Sequence, residues 1–120
     1  MEPSLAAAEF AEHRNAATLI LTGSKPILEH GSPWAITYGM SKAAVHHLAQ
    51  SIFEDKKGLS SNRVVCLLPT TLDTPANRAN MPHEDFSKWT STDAVALTVF
   101  ELCTGLKPKG YDSDSVFYRV

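Results

Sequence analysis

The six glycines of this 120-residue chain are scattered and nowhere cluster. A glycine-rich turn is what dinucleotide-binding folds use to hold a pyrophosphate against the N-terminus of a helix. No such turn, and no strand–helix–strand unit, precedes the first helix-like segment. The sequence therefore lacks the signal for the phosphate-binding half of a nucleotide site.

Cysteine, net charge and long apolar runs are also scarce. The two cysteines, Cys66 and Cys103, lie in apolar runs and not in a CxxC spacing, which predicts buried free thiols in a reducing compartment. A net charge of −2 disfavours nucleic acid or an anionic membrane as the main partner. No apolar run approaches the roughly 18 residues of a membrane span, and no signal peptide is recognisable. We therefore expect a cytoplasmic protein.

The composition is that of an ordinary globular protein, with 43% hydrophobic and 20% charged residues. At 120 residues, a single domain over 1–120 is expected. The five histidines have no helical i, i+4 pair and no nearby cysteine, so the sequence predicts no metal site. His46 and His47 are expected on a helix surface.

Helix-like and strand-like segments alternate along the chain. The runs ATLILT (17–22) and RVVCLL (63–68) are continuous and apolar, which is typical of strands buried on both faces of a parallel sheet. Thr90 with Asp93 resembles a capping box and Gly105 a helix stop. The full prediction comprises helices at 4–13, from about Tyr38 to Phe53 and at 90–105, a connector at 55–62, and a third strand at 115–120.

This alternation predicts an α/β fold, a Rossmann-like parallel sheet with flanking helices. Three strands are few for such a sheet, and the first would leave an apolar edge, so an incomplete sheet is expected. The segments 23–36 and 70–89 are predicted to be loops. The second has two prolines and no sustained period, and loops of that length usually serve as lids or binding loops.

The stretch YGMSK carries the clearest chemical signal. Tyr38 and Lys42 stand at i and i+4, so both project from one face of a helix. A cation beside a phenol favours the phenolate and lowers the phenol pKa from about 10, which suits proton donation to a substrate that receives a hydride. The same spacing also fits an ordinary helix surface. Trp34 and Trp89 are interpreted as packing residues, although their loops also suit the border of a binding site.

The neighbours of this pair are more specific than the pair itself. From about residue 15 to the end the chain contains GSK, YGMSKAAVHHLAQS, LLPTTLDTPANRANMP and DFSKWT. In this order they resemble the short-chain dehydrogenase/reductases and, more narrowly, the quinonoid dihydropteridine reductases. The resemblance implies the C-terminal catalytic half of that fold. It also implies an oxidoreductase that uses NADH, or NADPH, to reduce a quinonoid dihydropterin to the tetrahydropterin.

The resemblance further implies roles for individual residues. Tyr38 would donate a proton beside the nicotinamide, and Lys42 would hydrogen-bond the nicotinamide ribose. Asn77 would belong to a substrate-side flap. Ser24 departs from the dihydropteridine reductases, which tend to have alanine there, so it is either a substrate contact or a turn residue at a strand end. The expected contacts to the nicotinamide carboxamide come from Pro69, Thr70, Thr71 and Leu72.

Three interpretations therefore stay open. The first is a reductase of the dihydropteridine type with a small pterin substrate. The second is a catalytically silent fragment that binds another subunit, because in this family helices equivalent to 4–13 and 38–53 pack together in a homodimer. The third is a different short-chain reductase that acts on a simple carbonyl, which Ser24 favours.

Overall fold

The computed structural model describes residues 17–55 and 63–120 of the chain. The helix predicted at 4–13 and the connector from residue 56 onward, with Gly58, lie outside these ranges. The strands are β1 (Thr18–Thr22), β2 (Arg63–Leu68), β3 (Leu72–Asp73), β4 (Thr90–Ser91) and β5 (Phe117–Arg119). The helices are α1 (Lys25–Glu29), α2 (Ile36–Glu54), α3 (Pro75–Asn80) and α4 (Thr92–Cys103), with a 3-10 turn at Phe86–Lys88.

The main sheet has three parallel strands in the order β1–β2–β5. Thr22 pairs with Leu67, and Leu67 with Tyr118, so the three strands end at one edge of the sheet. The predicted α/β fold with a parallel sheet and flanking helices is confirmed. β1 is an outer strand among the described residues, as the sequence predicts for its apolar run.

Side chains of β2 alternate between the two faces of this sheet. Val64, Cys66 and Leu68 join a core cluster that also contains Ala49 and Ile52 of α2. Val65 and Leu67 join a second cluster, with Leu102 of α4. This period of two places a helix on each face, and it explains why the strand is a continuous apolar run.

The sequence places the helix α2 correctly and assigns part of its buried face, since Ala49 and Ile52 are buried and Val45 and Leu48 pack against the same cluster. On this helix the sequence predicts one buried stripe at 3- and 4-residue spacing, which comprises Tyr38, Ser41, Val45, Leu48, Ala49 and Ile52. Tyr38 and Ser41 are exposed, whereas the buried residues of α2 are Gly39, His46, Ala49 and Ile52. His46 was expected on the surface and is 6% exposed, while His47 is exposed as predicted. A search for apolar residues at helical spacing does not identify a glycine or a hydrogen-bonded histidine as a buried residue.

The predicted capping box of α4 is wrong by one residue. Ser91 is the N-cap, and its side chain accepts a hydrogen bond from the backbone N–H of Ala94 at 3.0 Å. Thr90 lies in β4 instead and is buried. The helix ends at Cys103, and Gly105 follows with a φ of 82°, so the predicted glycine stop is confirmed.

Two short helices lie in segments that were predicted to be loops. α1 falls in 23–36 and α3 in 70–89, and each has a proline in its first turn. Proline is favourable there because its missing N–H has no intrahelical partner in any case. Each of these helices is shorter than two turns, which is too short for a hydrophobic period to appear in the sequence.

The two cysteines differ in environment. Both are free thiols, but Cys66 is buried and Cys103 is exposed, so the prediction of two buried thiols is wrong for Cys103. Burial raises the pKa of the Cys66 thiol to about 11. None of the described helices is both long and apolar enough to cross a bilayer.

Gly23, directly after β1, allows a close approach between the sheet and α2. A Cβ at this position would lie 2.9 Å from Cys66 Sγ and closer still to the imidazole of His46. Its backbone N–H donates to Leu67 O at 2.8 Å, which continues the β1–β2 ladder past the end of β1. The absence of a side chain at this position is therefore a packing requirement.

We predict that Gly23→Ala lowers the free energy of unfolding by about 1–3 kcal/mol, because the new methyl group overpacks a buried contact. Urea unfolding followed by circular dichroism measures the change. Gly31→Ala is the matched control, since a Cβ there meets nothing within 4 Å. Equal stability of the two variants would contradict the close contact.

Candidate functional site

A pocket of about 320 Å³ lies at the carboxyl ends of β1 and β2. Parallel sheets of α/β proteins bind ligands at this edge, where loops diverge from the strand ends. All the site residues predicted from the sequence line this one pocket, together with Thr22 and Gly23. They are Ser24, Tyr38, Lys42, Pro69, Thr70, Thr71, Leu72 and Asn77.

Tyr38 and Lys42 project from the first half of α2 toward the pocket. Lys42 Nζ lies 5.9 Å from the centre of the Tyr38 ring and donates a hydrogen bond to Thr22 O at 3.0 Å. The ammonium is thus fixed between the end of β1 and the phenol. Tyr38 is 52% exposed, so its hydroxyl is accessible to a ligand. The arrangement is suited to proton donation next to a fixed positive charge.

Ser24 is the buried polar residue of the turn after β1. It is 7% exposed, and its backbone N–H donates to Nε2 of His46 at 3.0 Å. No described group hydrogen-bonds to its hydroxyl, which lines the pocket. The backbone of Ser24 therefore has a structural role, and the residue borders the pocket with little exposed surface.

The second wall of the pocket follows β2 and is fixed by threonines. Thr70 N donates to Thr90 Oγ1 at 3.1 Å, and the two threonine hydroxyls are 2.9 Å apart. Thr90 N in turn donates to Thr71 O at 2.8 Å. The buried side chain of Thr90 thus holds the segment that was predicted to contact a nicotinamide.

The segment 70–89 is ordered by its own hydrogen bonds. Thr74 caps α3 by accepting from Asn77 N, and Asn77 Nδ2 donates to Leu72 O at 2.8 Å. Arg78 makes a two-point contact with Asp73, with N–O distances of 2.6 and 2.8 Å, and this ion pair lowers the pKa of the Asp73 carboxyl. Arg78 also lies over the ring of Phe86, 4.6 Å from its centre.

A smaller cavity of about 190 Å³ adjoins the pocket. It shares Ser24, Tyr38, Thr70 and Thr71 with the main pocket and adds the apolar side chains of Pro26, Ile27 and Trp34. Trp34 is 67% exposed, so its interpretation as a packing residue is wrong. Trp89 does pack, with its ring centre 4.7 Å from that of Phe86.

Sequence reasoning missed several residues of this region, among them His46 and Ile27. His46 was missed because a polar residue on a helix is ordinarily exposed, although its place two turns after Tyr38 on α2 is a usable signal. Ile27 was missed because α1 was not predicted. Across residues 17–55 and 63–120, no three histidine, cysteine or acidic side chains come together in a way that would hold a metal ion.

Sequence similarity relates this chain to known proteins. No family model matches the chain. A dihydropteridine reductase from Dictyostelium discoideum is 38% identical over 86 residues, which are 71% of this chain and 37% of that protein. The matched part of the chain therefore spans little more than a third of the length of that relative. Over most of its length this chain is therefore similar to one part of a dihydropteridine reductase.

Proposed function

We propose that this chain carries the catalytic part of a dihydropteridine reductase of the short-chain dehydrogenase/reductase family. The observation that carries the proposal is that all eight site residues predicted with the help of the family resemblance line one pocket at the ends of β1 and β2. The similarity to a dihydropteridine reductase was found independently of that geometry. The proposed reaction is reduction of a quinonoid dihydropterin to the tetrahydropterin, with NADH, or NADPH, as the reductant.

The residues of the pocket fit the nicotinamide end of such a cofactor. Lys42 and Tyr38 present a cation and a hydroxyl for a ribose, and Pro69 to Leu72 form a rigid wall for a flat ring. A volume of about 320 Å³ is at the small end for a ligand pocket, which suits part of a dinucleotide. When bound, the reduced nicotinamide supplies the hydride.

The side chains of this chain would manage the proton and the orientation of the substrate. Tyr38, a half-exposed residue that lines the pocket, would donate a proton to the substrate. Lys42 keeps a positive charge beside that phenol, because its hydrogen bond to Thr22 O fixes the ammonium. Trp34 and Ile27 provide an apolar surface for the flat pterin ring.

Ser24 favours a second candidate, reduction of a simple carbonyl. Its hydroxyl lines both cavities and has no hydrogen-bond partner among the described residues. A free hydroxyl beside a tyrosine is suited to orient a carbonyl oxygen. Assembly as a homodimer through helices 4–13 and 38–53 remains part of the proposal, with the first helix outside the described residues.

We predict that Tyr38→Phe lowers turnover of quinonoid dihydropterin about 10²-fold or more, since it removes the proton donor. Its affinity for NADH should stay close to that of the unmodified chain. Consumption of NADH measures turnover, and a fluorescence titration with NADH measures binding. Tyr111→Phe is the control, because Tyr111 packs beside Arg63 and α4, away from the pocket. No NADH binding up to millimolar concentration would refute the proposal for this chain.

Trp34→Ala is expected to raise the KM for the pterin about fivefold and to leave kcat unchanged, because loss of one aromatic contact costs about 1 kcal/mol. Steady-state kinetics with varied pterin measures both constants. Met40→Ala is the control, since Met40 is also exposed near the start of α2 but lines neither cavity. An unchanged KM would exclude Trp34 from the substrate surface.

For Ser24→Ala we predict unchanged reduction of quinonoid dihydropterin and no reduction of simple ketones by either protein. The reason is that the pterin reaction needs no hydroxyl to orient a carbonyl oxygen. Parallel assays with a quinonoid dihydropterin and with a ketone decide between the two candidates. Ketone reduction that is lost in Ser24→Ala would favour the carbonyl reductase instead.

A further inference from the structure

His46 is buried behind the candidate site and does not line either cavity. It stands at i+8 from Tyr38 and i+4 from Lys42, so the three side chains follow one face of α2. Lys42 bonds the backbone of Thr22, and His46 bonds the backbone of Ser24. Two successive turns of α2 thus hold two points of the same short segment after β1.

The backbone N–H groups of this segment point in alternating directions. Gly23 N donates to Leu67 O at 2.8 Å, and Lys25 N donates to Pro69 O at 3.0 Å, so both are bonded to β2 or its end. Ser24 N points the other way, toward α2, where His46 Nε2 accepts from it at 3.0 Å. A buried N–H requires a partner, and the imidazole is the one that the fold provides.

The environment of the imidazole favours its neutral form. Because Nε2 accepts a hydrogen bond, the proton of the neutral ring lies on Nδ1. The charged or titratable neighbours are Lys42 on α2 and Cys66 on β2, and β5 contributes the edge-on ring of Phe117, with centroids 5.6 Å apart. Burial, and then the charge of Lys42, lower the pKa of His46 from its ordinary 6.5.

We propose that His46 is a positioning residue of the site. Its neutral imidazole holds the Gly23–Ser24 turn against α2, and this turn forms one wall of the pocket. A proton on Nε2 turns the acceptor into a donor and releases the Ser24 amide. The assignment of the pocket to a reductase rests on the proposed function, whereas the link between His46 and the turn does not.

The sign of the pH effect follows from the lowered pKa. Below the ordinary value of 6.5 the unfolded chain binds a proton at this histidine more readily than the folded chain does. The neutral imidazole therefore contributes its full share to the free energy of unfolding above that pH. This contribution is lost as the pH falls through the lower pKa of the folded state. The Ser24 turn should loosen over the same interval.

Nuclear magnetic resonance of the intact chain tests the proposal directly. At neutral pH we expect a pyridine-like ¹⁵N shift for His46 Nε2 and a slowly exchanging Ser24 amide. On acidification the Ser24 amide should shift and lose its protection with the same midpoint as the His46 ring. A protonated Nε2 at neutral pH, or a Ser24 amide that does not respond when His46 titrates, would overturn the proposal.

Three variants separate positioning from simple packing. His46→Gln retains an acceptor that reaches the Nε2 position and cannot titrate, whereas His46→Leu has no acceptor. Exposed His47→Gln is the matched control on the next residue. We expect His46→Leu to lose about tenfold in Ser24 amide protection, the equivalent of one hydrogen bond, and His46→Gln to retain protection without its pH dependence.

Enzyme kinetics give a second readout. If the chain is a reductase, kcat/KM should fall on the acid side with the midpoint of His46 in the unmodified chain and in His47→Gln. That acid limb should be absent in His46→Gln, and an acid limb that persists there would overturn the positioning role. An unmodified chain without turnover would refute the proposed function, while the amide measurements would still decide the role of His46.

Discussion

The parallel register of β1 and β2 is the constraint on which the rest of the site depends. Thr22 lies opposite Leu67, so the two chains leave the sheet at the same level. The hydrogen bonds from Gly23 and Lys25 to the β2 side carry that alignment past the ends of the strands. As a result, two segments more than forty residues apart in sequence form facing walls.

α2 supplies the third wall of the pocket. Along one face of this helix the exposure of the side chains decreases from its first turn toward the core. Tyr38 is half exposed, Lys42 is partly buried, and His46 is almost fully buried. The first is accessible to a ligand, the second connects the ligand side with the strand, and the third bonds only to the protein. One helix face thus combines a reactive group with two groups that fix its surroundings.

Much of this arrangement is predictable from the sequence, because strands buried on both faces leave an unmistakable signal. The runs at 17–22 and 63–68 predicted β1 and β2, and the residues that follow each of them proved to share one pocket. The match of YGMSK and LPTTLDTP to a known family added the assignment of site residues. The strand prediction and the family resemblance both indicate the same part of the chain, because the site residues follow directly after the two strands.

The parts that sequence reasoning missed depend on tertiary contacts. The burial of His46 goes with the Ser24 amide, which turns away from β2 and bonds to the imidazole across twenty-two residues of sequence. Ser91 and not Thr90 caps α4, because Thr90 is needed to bond Thr70 across the pocket wall. α1 and α3 are five and six residues long, each with a proline in its first turn, and a hydrophobic period requires a longer helix.

The contact between Gly23 and His46 has a consequence for how such a sequence varies over time. The ring fits because position 23 has no side chain, and a Cβ there would also lie 2.9 Å from Cys66 Sγ. A change at either position alters what the other can accept. The two positions should therefore co-vary among descendants of this chain, although they lie twenty-three positions apart in sequence.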